Sequence, residues 1–172
     1  MNDKPLVGIL MGSDSDYEIM AEAARALKSF GIPYEMQVSS AHRSPARTAG
    51  YARQARERGI RTLIIGAGAA AHLAGVVSAE TTLPVIGVPI DSSALQGLDA
   101  LLATVQMPAG IPVATMAIGK AGARNAGIFA AQLLAATDDK LAAKLADFKA
   151  DMAEKVALKS DALQERLAAD GL

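Results

Sequence analysis

Short runs of uninterrupted apolar residues recur along the chain, each closed by glycine, serine or proline. Leu6–Met11 ends at Gly12-Ser13, Thr62–Ile65 at Gly66, Pro84–Pro89 before Asp91, and Val113–Ile118 at Gly119. Runs this short, apolar on both faces, are predicted to be strands of a parallel sheet covered by helices. Tyr34–Val38 alternates apolar and polar residues and adds another strand. Between the strands the period changes to that of a helix. Ile19, Met20, Ala23, Ala26, Leu27 and Phe30 share one side of a stretch that ends at Gly31, before Pro33. Ser44-Pro45 opens a second helix running to Gly59, with proline at its first position. Further helices are expected over Leu73–Thr81, from Ser92 or Ser93 to Val105, and over Asn125–Ala136. Gln106–Pro112 reads as a loop.

Five strands alternating with helices define an α/β fold with a five-stranded parallel sheet. Right-handed crossovers in a small domain favour the order 2-1-3-4-5. The turns after strands 1, 2 and 3 then converge at the switch point of the sheet. After Asp138 the pattern changes to one long helix, with Leu141, Leu145, Phe148, Met152 and Val156 on one side and alternating charges on the other. The expected organisation is a catalytic domain over 1–136 and a helical extension over 137–172, packed on its own or a neighbouring subunit.

The apolar fraction of 51% with only 3% aromatic residues reflects an alanine content of about one residue in five. Small side chains permit close helix packing and leave apolar faces that favour an oligomer. A net charge of −1 gives no electrostatic footprint for nucleic acid or membrane. No apolar run reaches the roughly 18 residues of a membrane span. Met1–Lys4 leads straight into a strand pattern without a signal-peptide arrangement, so the expected location is cytoplasmic. The absence of cysteine excludes disulfides and thiol chemistry.

Candidate chemistry lies in the turns. Gly12-Ser13-Asp14-Ser15-Asp16 joins the first strand to a helix, where hydroxyls and free N–H groups suit a phosphate and an acid suits sugar hydroxyls. The same residues serve equally well as helix caps. Ser40-Ala41-His42-Arg43 follows the second strand. Arg43 can grip phosphate as a fork, and His42 can give and take a proton near neutral pH. Gly66–His72 is almost free of side chains, so a planar ring could approach its backbone. Tight packing would use the same residues. The two histidines have no HxxxH or clustered spacing, so no metal is expected.

Taken together, these segments resemble class I N5-carboxyaminoimidazole ribonucleotide mutases, enzymes of purine biosynthesis. The resemblance runs from Val7 to about Leu134. It rests on Met11-Gly12-Ser13-Asp14-Ser15-Asp16, Ser40-Ala41-His42-Arg43, Gly66-Ala67-Gly68 with Ala70-Ala71-His72-Leu73, Gly87-Val88-Pro89, Gln106-Met107-Pro108 with Gly110-Ile111-Pro112-Val113, and Asn125-Ala126. It implies a flavodoxin-like three-layer αβα sandwich assembled as a homo-octamer. The implied reaction converts N5-carboxyaminoimidazole ribonucleotide (N5-CAIR) to 4-carboxy-5-aminoimidazole ribonucleotide (CAIR) through trapped CO2, with no cofactor.

By the same resemblance His42 is the proton carrier, Ser13, Ser40 and Arg43 hold phosphate, and Asp16 holds ribose. Ser15 and Ala41 join the substrate-binding set, while Ala67, Gly68, His72 and Leu73 enclose the ring and CO2. The chain departs from many bacterial relatives in carrying Ala69 for a second glycine and Ala74-Gly75-Val76 for Pro-Gly-Met. An aminoimidazole ribonucleotide carboxylase using free CO2 is the nearest alternative. It carries a different, polar loop where this chain has Ala70-Ala71-His72-Leu73. A flavodoxin-type electron carrier would want aromatic faces for its flavin, and three Tyr, three Phe and no Trp supply few. A signalling receiver domain needs an aspartate after the third strand, where this chain has Gly66-Ala67-Gly68.

Overall fold

The structure, a computed structural model, describes residues 4–172. Met1–Asp3, the start of the expected leaderless N-terminus, lie outside the described residues. Five strands form one parallel sheet: β1 (Val7–Met11), β2 (Tyr34–Val38), β3 (Thr62–Gly68), β4 (Val85–Ile90) and β5 (Ala114–Thr115). Their order is β2-β1-β3-β4-β5, as the sequence pattern predicts. The helices that follow them in turn are α1 (Tyr17–Ser29), α2 (Pro45–Gln54), α3 (Leu73–Ala79), α4 (Leu98–Val105) and α5 (Gly119–Ala135). The fold is the flavodoxin-like α/β sandwich, with helices on both faces of the sheet.

The apolar runs of β1, β3 and β4 become strands because they are buried on both faces, Gly68 at the end of β3 excepted. Val7, Ile9 and Leu10 of β1 and Leu63 and Ile64 of β3 are fully inaccessible to solvent. Edge strand β2 is different: none of its five residues is buried, and Tyr34 and Val38 are exposed. Glu35 of β2 pairs with Arg58 at 2.9 Å, and the Arg58 guanidinium lies 4.4 Å over the ring of Tyr51 on α2. Burial, then Glu35, raises the pKa of the Tyr51 hydroxyl above its usual range. The alanine-rich helices use their small side chains for close approach. A Cβ on Gly127 of α5 would lie 2.6 Å from the carbonyl of Ala23 on α1.

Element boundaries depart from the pattern where glycine or tight turns intervene. β3 continues through Gly66-Ala67-Gly68, which pair with Val88, Pro89 and Ile90 of β4; the expected loop is only Ala69–His72. α2 stops at Gln54, and its last residues tighten into turns before Gly59, whose φ is +102°. The expected helix from Ser92 begins only at Leu98, because Gln96 (φ +51°) and Gly97 (φ +84°) are left-handed. β5 shrinks to two residues on the edge of β4. α5 starts at Gly119, six positions earlier than Asn125, because Ala121 and Ala123 sustain the helix through the glycines.

The chain divides into a compact unit ending at Leu134 and a second from Ala135 to Leu172. The second unit is dominated by α6 (Asp139–Asp170), capped by Asp138, whose carboxylate accepts from the N–H groups of Lys140 and Leu141 at 3.0 Å each. Met152, Val156, Leu158 and Leu163 are exposed on it. No helix among the described residues is long and apolar enough to cross a membrane.

Candidate active site

The turns after β1, β2, β3 and β4 surround one cleft of about 380 Å3. Backbone bonds beyond the strand ends hold the first three in register. Gly12 N–H donates to Gly66 O at 3.1 Å, and Ser39 N–H donates to Met11 O at 2.8 Å. Ser39 is buried, its hydroxyl 2.8 Å from that of Thr48 on α2. The second turn is thus anchored to both the sheet and the following helix.

The first turn is a reciprocal cap. Ser13 Oγ accepts from Ser15 N–H at 3.3 Å, and Asp16 Oδ2 accepts from Ser13 N–H at 3.1 Å. Ser15 Oγ donates to Ser13 Oγ at 2.9 Å, while Ser13 Oγ donates to Asp14 at 3.1 Å. Capping and a binding role therefore coexist in the same residues. Burial raises the pKa of Asp16 above the usual aspartate range, opposed by the hydrogen bond from Ser13 N–H.

In the second turn Ser40 Oγ accepts from Arg43 N–H at 3.2 Å, leaving its own proton available to a ligand. The Ser40 carbonyl accepts from Ser44 N–H and Ser44 Oγ at 2.9 and 3.0 Å. Arg43 is exposed, and no carboxylate among the described residues pairs with it. A guanidinium at the mouth of a cleft with no internal partner is suited to an anion.

Across the cleft the wall is nearly bare: Ala67 and Gly68 from the end of β3, then Ala69, Ala70 and Leu73. Ala69 has a φ of +50°, a left-handed conformation that glycine takes without strain. The departure from glycine at this position is therefore a conformational cost carried by the chain. Ala74, the other departure, is buried in α3.

Of the residues expected at the site, Ser13, Ser15, Asp16, Ser40, Ala41, His42, Arg43, Ala67, Gly68 and Leu73 all line the cleft. His72 does not. Its Nδ1 lies 2.9 Å from His42 Nε2, the rings nearly perpendicular at 85°. One imidazole donates and the other accepts, so His72 meets the imidazole at the cleft instead of the cleft itself. Gln106–Pro108 are also absent from the lining; Met107 packs toward Gly75, where a Cβ would lie 3.1 Å from its sulfur. Ser92 is a lining residue that in the sequence reads only as a helix start. Its position immediately beyond a β-strand's C-terminal end is the signal that could have marked it.

An open parallel sheet with a phosphate-suited turn, a histidine and a bare ring-sized wall at its switch point defines a nucleotide-handling α/β enzyme. Residues 6–155 match the AIR carboxylase family, and the chain belongs to it. The N5-carboxyaminoimidazole ribonucleotide mutase of Bacillus subtilis (strain 168) is 56% identical over 160 residues, covering 93% of this chain and 99% of the relative. The protein of the same name from Pyrococcus horikoshii is 54% identical over 164 residues, covering 95% and 92%. The crystal structure of Treponema denticola PurE superposes with a TM-score of 0.83 at 28% identity, covering 91% of this chain and 97% of that one.

Proposed function

We propose that this chain is an N5-carboxyaminoimidazole ribonucleotide mutase, an isomerase of purine biosynthesis. The observation that carries the reading is the meeting, in one cleft, of an unpaired Arg43, the His42 turn and the bare end of β3. Ser13, Ser40 and Arg43 hold the substrate phosphate, and Asp16 takes a ribose hydroxyl. The aminoimidazole lies against Ala67, Gly68 and Leu73, with Ser15 and Ala41 closing the sides.

His42 carries the proton. As the carbamate N–C bond breaks, N5 takes a proton from His42 and CO2 is released into the cleft. C4 then attacks CO2, a C–C bond forms, and the C4 proton returns to His42. The reaction is a balanced isomerisation. Holding CO2 beside C4 replaces a bimolecular encounter by a positioned one, worth up to about 7–11 kcal/mol in favourable cases. The expected assembly is a cytoplasmic homo-octamer. Exposed Leu95, Leu98, Leu102 and Val105 on and beside α4 support a further protein surface there.

The alternative is a carboxylase that takes free CO2; the names of the relatives do not favour it. Supplying the purified protein with N5-CAIR, or with aminoimidazole ribonucleotide and bicarbonate, separates the two. Rapid CAIR formation from N5-CAIR alone is the expected result. Turnover only with aminoimidazole ribonucleotide and bicarbonate would reverse the assignment.

A further inference from the structure

Ser92 is the one polar side chain on the β3–β4 side of the cleft. The other hydroxyl, imidazole, guanidinium and carboxylate groups lining it come from the turns after β1 and β2. Ser92 N–H donates to Ile90 O at 3.0 Å, closing a tight turn directly off β4. A Cβ on Gly68 would collide with Ser92 Oγ, so the hydroxyl occupies the space that glycine leaves open. Among the described residues this hydroxyl has no hydrogen-bond partner, which leaves its donor free.

The sheet order gives this position meaning. A nucleotide with its phosphate at the β1 and β2 turns extends along the order β2-β1-β3-β4, so its base end reaches the β3–β4 side. There it meets Ala67, Gly68, Ala69, Ala70 and Leu73, which offer no polar side chain. On this exposed side of the cleft the Ser92 hydroxyl is the side-chain donor within reach of a carboxylate borne on the base, and a charged acceptor strengthens such a bond. We propose that Ser92 is a substrate-specificity residue whose hydroxyl donates a hydrogen bond to the carboxylate borne on the base end of the substrate. The assignment rests on the mutase reading and adds to it the group that distinguishes carboxylated from uncarboxylated nucleotide.

Calorimetric titration of the full chain and its Ser92→Ala variant with CAIR and with aminoimidazole ribonucleotide tests it. Ser92→Ala is expected to weaken CAIR about 10–100-fold, the effect of losing a hydrogen bond to a charged group. Aminoimidazole ribonucleotide, which lacks the carboxylate, is expected to bind within about 2-fold of the parent, and Ser92→Thr to retain CAIR affinity. Equal affinity of parent and Ser92→Ala for CAIR would overturn the assignment. A parallel loss for both nucleotides would also overturn it, because general disruption of the cleft has that signature. Failure of the parent to bind either nucleotide would instead overturn the mutase reading and this assignment with it.

Discussion

The two sides of the cleft solve opposite problems. The β1 and β2 turns present side chains, namely hydroxyls, a buried carboxylate, an imidazole and a guanidinium, each oriented by a local hydrogen bond or left free for a ligand. The β3 end presents almost none, and shapes its wall from backbone and methyl groups. A charged, flexible phosphate is held well by forked and hydroxyl donors. A flat ring with a small gas molecule beside it is enclosed best by a surface with nothing protruding. On the proposed function, the same strand ends supply chemistry on one side and containment on the other.

Breaking the side-chain half at His42 has the largest expected effect. His42→Asn should lower turnover by about 10²–10⁴-fold, the usual contribution of a general acid–base group. Circular dichroism should remain that of the parent, and a folded variant with near-parent turnover would remove His42 from the mechanism.

Arg43→Ala probes the same half at its anion end. Binding of aminoimidazole ribonucleotide should weaken about 10-fold or more, the size of a charge-assisted hydrogen bond. The corresponding riboside, without phosphate, should bind both proteins alike in the same titration.

Asp16 separates binding from stability. Because burial raises its pKa, the native chain holds the Asp16 proton more tightly than the unfolded chain does. The stabilisation from that proton is complete below the ordinary value near about 3.9 and is lost as pH rises through the raised one. At neutral pH the ionised carboxylate is therefore a liability to the fold. Asp16→Asn keeps an acceptor for Ser13 N–H, so urea denaturation at pH 7 should find it at least as stable as the parent. Nucleotide affinity should fall several-fold.

The smallest effect belongs to the containing half. Ala69→Gly relieves a left-handed alanine, a strain of about 1 kcal/mol, and should raise the melting temperature by about 2–4 °C. A lower melting temperature would show that alanine's restriction of the unfolded chain outweighs the strain.

The sheet order was legible because buried parallel strands demand unbroken apolar runs, and this chain supplies them cleanly. The end of β3 was not, since Gly66-Ala67-Gly68 has low strand propensity and pairs only because Val88–Ile90 lie alongside. Most cleft residues could be found in sequence because hydroxyls, histidine and arginine cluster next to strand ends. Ser92 escaped because a serine after a strand looks like a helix cap, and the glycine that makes room for it is 24 positions earlier. The contact between His42 and His72, 30 positions apart, likewise exists only once β2 and β3 flank β1.

β2 carries the His42 turn yet bonds to the sheet through β1 alone, and none of its residues is buried. Such an edge opens by local fluctuation before the interior strands do. The Glu35–Arg58 pair and the Ser39–Thr48 contact are the clips that oppose this opening. Amide hydrogens of Tyr34–Val38 should consequently exchange with solvent well ahead of those of β1 and β3. In a denaturant series the enzyme should fall silent while most of its sheet is still intact. The His42 turn should thus last only as long as the border strand that carries it, and a cover over exposed Tyr34 and Val38 should slow that exchange.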